Sequence, residues 1–390
     1  MRLLFLTHTP ARASGSGIYL RRVAEACRDA GHTCALLTPV ATGDGHAIEL
    51  HRLDTGTIEQ VSRAALPFPT FSGHRDSTLL YPRMTEQQLR LYTAAWSAAI
   101  RQAHLRFEPD LIHVNHLFLI AATVARTVST PYVVVSHGSE FFREPGARFD
   151  DEQRYAAEHA AALVGITAGI AGRAGLAGRP VPVIPPGFDP AVFRPHPVDR
   201  SAVLRGFGVS GERPCVAYAG RIVGYKRVPD LVQAMALIDP GQRPDLLVVG
   251  DGTALPEVRA SAGRHGVSVV FAEHRDDPAA IADLLAAVDL LVLPSENDPY
   301  PMAVVEALAC GTPALVSDHC GVTDIVGDAV FPLGDTNALA RLITQVVRED
   351  WKNTRGPQAP ARVAGKQWPS IAAELIEVYR RAATMTGAVR

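Results

Sequence analysis

The sequence predicts an α/β fold made of two doubly wound halves, and three observations predict it. Short apolar runs alternate with amphipathic stretches of helical length along almost the whole chain. The strand–loop–helix pattern starts twice, at residue 2 and again at residue 215, on either side of a proline-rich stretch. The 390 residues are also enough for two domains that each bury a core.

In the first half, residues 2–7 read as a strand and 10–17 as a loop containing Gly15, Ser16 and Gly17. Residues 18–30 read as an amphipathic helix that stops at Gly31, and 34–37 as the next strand. The loop lacks a full GxGxxG, so it suggests close approach of a ligand to the backbone more than a nicotinamide or flavin. Residues 42–82 mix polar residues, Pro and Gly without a period, and no element is assigned there. A long helix over 84–106 follows, then strands at 110–114 and 132–135 separated by a helix over 117–128. The second of these strands delivers Ser136, His137, Gly138, Ser139 and Glu140 at its carboxyl end, where open α/β sheets bind ligands. His113 and His116 lie near the end of the neighbouring strand, and nothing in their spacing separates them from polar loop residues. A helix over 156–162, a strand over 163–166 and a helix over 170–177 complete the half.

Pro185, Pro186, Gly187 and Pro190 exclude a helix and suit a stiff connection. The expected division is a first domain over 1–186, a linker over 187–212 and a second domain over 213–367. The second half opens with a strand at 215–219, a loop from Gly220 through Arg221 to Lys226, and a helix over 228–237. Strands follow at 246–249, ending on Gly250, and at 267–271, each followed by a helix, over 255–265 and 279–287.

The most informative stretch is 290–313, LLVLPSENDPYPMAVVEALACGTP. Residues 290–293 are a wholly apolar run, as in a parallel strand covered on both faces, and 294–301 are too polar and proline-rich to continue it. Residues 302–310 have helical spacing, with Pro301 at the expected first helical position and Gly311 just past the end. The N–H groups at the start of this helix, around Tyr300 and Met302, then point back at the loop, an arrangement that attracts phosphate; Pro301 itself has no N–H to donate. Asp298 sits in the loop and Glu306 about 7 Å along the helix. Beyond it come a strand at 314–317, a helix over 337–347, loop or broken helix over 349–366, and a closing helix over 368–382.

Composition narrows the classes. Hydrophobic residues make up 47% and charged residues 20%, which fits a folded protein, and a net charge of −2 offers no general attraction to nucleic acid or anionic lipid. The five cysteines, Cys27, Cys34, Cys215, Cys310 and Cys320, show no CxxC spacing, so reduced thiols and a cytoplasmic location are expected. The N-terminal apolar run is too short for a signal peptide, and no run is long enough to span a bilayer; peripheral membrane contact stays open. Oligomeric state is not readable.

The spacing from Asp298 to Glu306, followed by ALACGTP, resembles the Glu-x7-Glu signature of retaining nucleotide-sugar glycosyltransferases of family four. Asp298 stands where the family has its first Glu, one methylene shorter, and Glu296 lies two residues too early to replace it. Arg221-x4-Lys226, His137, the proline-rich connection and the final WPSIAAELIEVY also match the family in order, so the resemblance covers most of the chain. It implies the GT-B fold, two facing Rossmann-like domains with a C-terminal helix crossing back, so residues 368–390 would complete the first domain. It also implies that Arg221 and Lys226 hold a diphosphate in place of a metal, a physically sensible use of a guanidinium fork and an ammonium. Glu306 would accept from the ribose hydroxyls, Asp298 would face the donor sugar, and His137 would contact the transferred sugar. Gly220, Gly250, Tyr300, Pro301 and Met302 would line the donor site, with the base over the backbone at 273–275. Gly15 and Gly17 would approach the donor phosphate or the acceptor from the first domain. No cofactor is implied beyond a nucleoside-diphosphate sugar, UDP being favoured over GDP or ADP, and the partner is a hydroxyl-bearing acceptor. The Ala-, Arg-, Pro- and Gly-rich composition fits a GC-rich bacterial gene for a secondary metabolite or a cell-surface glycan. Two other readings stand beside this one: another GT-B activity, such as an epimerase or phosphorylase, and a catalytically weakened sugar-nucleotide-binding protein, motivated by Asp298.

Overall fold

Leu3, Leu4, Phe5 and Leu6 are fully buried in strand β1 (Arg2–Leu6), as an unbroken apolar run in a sheet covered on both faces should be. The computed structural model describes residues 1–11, 15–71, 77, 79–141, 148–175, 178–273, 275 and 277–385. It divides into two compact units, residues 1–187 with 368–390, and residues 188–367.

In the first unit β1 leads to α1 (Gly15–Asp29), β2 (Thr33–Thr42), β3 (Gly45–Arg52), β4 (Ile58–Ala64) and α2 (Glu86–Phe107). Then come β5 (Leu111–Asn115), α3 (Leu119–Thr127), β6 (Tyr132–Ser136), α4 (Asp150–His159), β7 (Ala162–Gly165) and α5 (Ala168–Ala174). The sheet order is β4-β3-β2-β1-β5-β6-β7. β2, β1, β5, β6 and β7 run parallel, while β3 and β4 add on antiparallel at the edge. The winding reverses between β1 and β5, so the loops after those two strands are splayed apart and leave a crevice. Helix α2 starts where it does because Thr85 and Gln88 form a reciprocal capping box. It buries Tyr92, Trp96, Ala99, Ile100, Ala103 and Phe107, a stripe at helical spacing.

The second unit contains α6 (Arg200–Gly206), β8 (Cys215–Ala219), α7 (Val228–Ala236), β9 (Asp245–Val249), α8 (Leu255–His265), β10 (Val269–Ala272) and α9 (Pro278–Ala287). It continues with β11 (Leu290–Leu293), α10 (Met302–Ala309), β12 (Ala314–Ser317), α11 (Thr323–Val326), β13 (Val330–Phe331), α12 (Thr336–Arg348), α13 (Trp351–Thr354) and α14 (Ala359–Arg362). Its sheet is wholly parallel in the order β10-β9-β8-β11-β12-β13, with the reversal between β8 and β11. The last helix, α15 (Trp368–Met385), belongs to the first unit, where Trp368 lies edge-on to Tyr19 of α1 at 5.9 Å.

Several elements differ from what the sequence predicts. β3 and β4 occupy the stretch to which no element was assigned; β4 is an edge strand that buries little and so carries no apolar run. Residues 188–212, expected as a linker, group with the second unit and include α6, whose start is capped by Asp199. Pro301 is the residue before α10 rather than its first helical residue. Residues 12–14, 176–177, 274 and 386–390, on which parts of the expected glycine loop, fifth helix, base site and C-terminal helix fall, lie outside the described residues.

Candidate active site

The β8–β11 reversal of the second sheet brings together the loops that carry Arg221, Lys226 and Asp298. The loop after β8 is held flat on the loop after β9 by three backbone hydrogen bonds: Gly220 N–H to Val249, Ile222 N–H to Asp251 and Ala254 N–H to Ile222, at 3.0, 2.8 and 2.9 Å. Only glycine allows this apposition at residues 250 and 252. Both have positive φ, 142° and 153°, and a Cβ on either would collide with the carbonyl oxygen of Gly220 or Ile222. Tyr218 donates its hydroxyl to the Arg221 carbonyl at 2.6 Å, fixing the backbone from which the exposed Arg221 side chain leaves.

A 3-10 turn, Gly224–Lys226, then aims Lys226 at Asp298. Its ammonium donates to Asp298 Oδ2, and the two side chains are 14% and 12% exposed. Burial, the largest single influence, acts to lower the Lys226 pKa, but the Asp298 charge and hydrogen bond together with Tyr225 and Cys320 outweigh it and hold the ammonium above its ordinary value. The two loops are also tied through the backbone, with Glu296 N–H donating to the Tyr225 carbonyl at 2.8 Å. The Asp298 backbone is fixed from the other side, where Gly321 N–H donates to its carbonyl at 2.9 Å.

Asp298 leads into Tyr300, Pro301 and the start of α10, which no side chain caps. Val304 N–H donates to the Pro301 carbonyl at 3.1 Å, so of the first-turn N–H groups those of Met302 and Ala303 are the ones suited to an anion. Glu306 lies one turn further on, partly buried. Tyr300 is buried with a hydroxyl that has no partner, and burial raises its pKa.

In the first unit the β1–β5 reversal gathers a second cluster. His8 follows β1, His116 follows β5 and His137 follows β6, with ring centroids 4.6 Å apart for His8 and His116 and 4.9 Å for His116 and His137. Glu140, with no solvent exposure, accepts from His116 Nδ1 at 3.0 Å, Leu117 N–H at 3.1 Å and the Ser136 hydroxyl at 2.6 Å. Burial would raise the Glu140 pKa, but His116 and these hydrogen bonds prevail and keep it well below the usual carboxylate range. His8 and His137 go the other way: burial, reinforced by neighbouring His116, puts both below the ordinary imidazole value. Nε2 of His116 and Nε2 of His137 are buried without a partner among the described residues.

The structure therefore brings Lys226 to Asp298 and lays Gly220 on Gly250, while Gly15, Gly17 and His137 belong to the other unit. His8 and Glu140 were given no role in the sequence reading; a buried-carboxylate signal is invisible when the residue follows a strand by only a few positions. Among the described residues no group of three or more His, Cys, Asp or Glu could hold a metal ion, and no helix is long and apolar enough to cross a membrane. All five cysteines are buried and unpaired.

Comparison with known proteins places this architecture. A family model described as "Glycosyl transferase 4-like domain" matches residues 14–187, and one described as "Glycosyl transferases group 1" matches residues 200–359. The 2-deoxystreptamine glucosyltransferase of Streptomyces kanamyceticus is 29% identical over 308 residues, 70% of this chain and 77% of that protein. The D-inositol 3-phosphate glycosyltransferase of Jonesia denitrificans is 32% identical over 220 residues, 52% of this chain, so the match spans about half the length of that relative, 51%. Among solved structures, the sucrose-phosphate synthase of Thermosynechococcus elongatus superposes with a TM-score of 0.76 at 21% identity, over 97% of this chain and 98% of that one. Anabaena HepE, solved with UDP and glucose, gives a TM-score of 0.74 at 21% identity over 97% and 99%. The chain belongs to the group 1 glycosyltransferases of the GT-B fold and is a glycosyltransferase.

Proposed function

We propose that this glycosyltransferase is retaining and metal-independent, and that it moves a sugar from a nucleoside-diphosphate sugar to a hydroxyl of a cyclitol-like acceptor. The observation that supports it most is the Lys226–Asp298 pair at the β8–β11 reversal, next to the uncapped start of α10. A diphosphate leaving group gathers negative charge as its bond to the sugar breaks. Lys226, Arg221 and the first N–H groups of α10 are the donors for that charge, fixed before the reaction starts. When phosphate takes over Lys226, Asp298 is released to accept from sugar hydroxyls. Glu306 accepts from the ribose. In front-face substitution the anomeric carbon loses its phosphate oxygen and gains the acceptor oxygen on the same side, and the acceptor proton passes to the departing phosphate.

The acceptor class comes from the relatives' names. 2-Deoxystreptamine and inositol phosphate are both six-membered carbocycles bearing hydroxyls, which makes a cyclitol the first acceptor to test. UDP is the first nucleotide to test, since HepE was solved with UDP-glucose. The buried, unpaired cysteines support a cytoplasmic setting.

The test is incubation with UDP-, GDP- or ADP-glucose, with and without 2-deoxystreptamine or inositol phosphate, in buffer containing a chelator. Acceptor-dependent release of nucleoside diphosphate, with the α-anomeric configuration of the donor kept in the product by NMR, is expected. An isomerised sugar without acceptor, inversion at the anomeric carbon, or activity abolished by the chelator would each overturn the corresponding part of the reading.

A further inference from the structure

A chain of buried hydrogen bonds crosses the first unit and ends on the glycine-flanked turn at the start of α1. Asn115 Nδ2 lies 2.7 Å from the Ser16 carbonyl oxygen, Asn115 Oδ1 lies 3.0 Å from His113 Nε2, and His113 Nδ1 lies 2.6 Å from the Tyr379 hydroxyl. A carbonyl oxygen can only accept, so the Asn115 amide must turn its NH2 towards Ser16 and its oxygen towards His113. That oxygen also only accepts, so the His113 proton sits on Nε2. Nδ1 is left with a lone pair, which the Tyr379 hydroxyl fills as donor. The chemistry of its last acceptor thus sets every proton in the chain, running from α15 through β5 to α1.

We propose that Tyr379, His113 and Asn115 are positioning residues for the sugar-transfer reaction, which hold the Gly15–Ser16–Gly17 turn in one place as substrate approaches it. The proposal rests on the reading that this turn meets substrate. Tyr379 and His113 are fully buried and Asn115 nearly so, with Phe5 packed on both rings at 5.1 and 6.4 Å. Apolar side chains would fill such a core as well; a fully satisfied polar network instead specifies one arrangement. Burial pushes the His113 pKa down to about 4, so the ring stays neutral and the direction of the chain does not change near neutral pH.

The experiment compares the KM values of donor and acceptor in four variants. Gly15→Leu marks which substrate meets the turn; among the described residues nothing lies within 4 Å of a Cβ at residue 15. Tyr379→Phe removes the first donor and keeps the ring, and Asn115→Asp keeps the acceptor for His113 while replacing the donor to Ser16. Tyr19→Phe, which removes a buried hydroxyl without a partner in the same core, is the control. Tyr379→Phe and Asn115→Asp should raise the KM that Gly15→Leu raises, by about tenfold, with kcat changed by less than about threefold, and Tyr19→Phe should leave it unchanged. An unchanged KM in Tyr379→Phe, or an equal rise in Tyr19→Phe, overturns the positioning role while the reading of the turn survives. If Gly15→Leu moves neither KM, that reading itself falls, and the positioning role with it.

Discussion

Lys226 and Asp298, 72 residues apart in sequence, form one mostly buried ion pair that joins the loops after the two central strands of the second sheet. On the proposed function a diphosphate takes over this ammonium, and the carboxylate that holds it must then let it go; the first two predictions test that exchange.

Lys226→Ala should lower turnover by about 100- to 1,000-fold, the usual loss when one donor to a developing anion is removed. It should also lower Tm, because Asp298 is left buried without its partner. The double variant Lys226→Ala/Asp298→Ala should recover the lost stability but none of the turnover. Transfer rates and thermal melts of the three proteins check this; a double variant that regains activity would remove Lys226 from the phosphate site.

Asp298→Asn keeps the shape but releases Lys226 from its counter-ion, so nucleotide should bind at least as tightly while turnover falls at least about tenfold. Asp298→Glu restores the longer acid and should keep nucleotide affinity within about threefold. A large rise in its turnover would identify the natural protein as catalytically weakened. Nucleotide titration and initial rates measured on the same samples decide the matter.

Acid should destabilise the protein in two stages. His8, His113 and His137 have folded pKa values below the ordinary 6.5, so the unfolded chain takes up protons first as pH falls. The stability present above about pH 6.5 is therefore lost below it, over a window that for His113 reaches down to about 4. Glu140, also depressed, has an ordinary value of 4.5, and its contribution is lost as pH falls below that. Tm should decline between about pH 7 and pH 5 and more steeply below about pH 4.5; a flat profile from 7 to 5 would contradict the burial of these rings.

Gly250→Ala should cost about 2–4 kcal/mol, because the new methyl group meets the Gly220 carbonyl and the backbone has positive φ. Gly263→Ala, where none of the described residues lies within 4 Å of a Cβ and the glycine is inside α8, should be neutral or stabilising by up to about 1 kcal/mol. Urea midpoints of the two variants separate the effects.

Much of this was legible in sequence where one signal dominated. β8, α8, β11 and β12 fall where apolar runs and glycine or proline stops put them. β3 and β4 were not legible: β4 alternates exposed and half-buried positions at a sheet edge, so it has no apolar run to announce it. Lys226 and Asp298 each stood out through a motif, but their pairing did not, because it depends on strand order and not on spacing. His8 and Glu140 were missed for the same reason. Each lies just past a strand whose place beside β5 exists only in the folded sheet.

Because α15 belongs to the first unit, that unit is interrupted in the chain by the whole of the second. A ribosome delivers residues in order, so the sheet of the first unit waits for the covering of α15 until residues 188–367 have been made, while the second unit can finish sooner. Until Tyr379 arrives, the imidazole of His113, packed on Phe5, lacks the donor to its Nδ1.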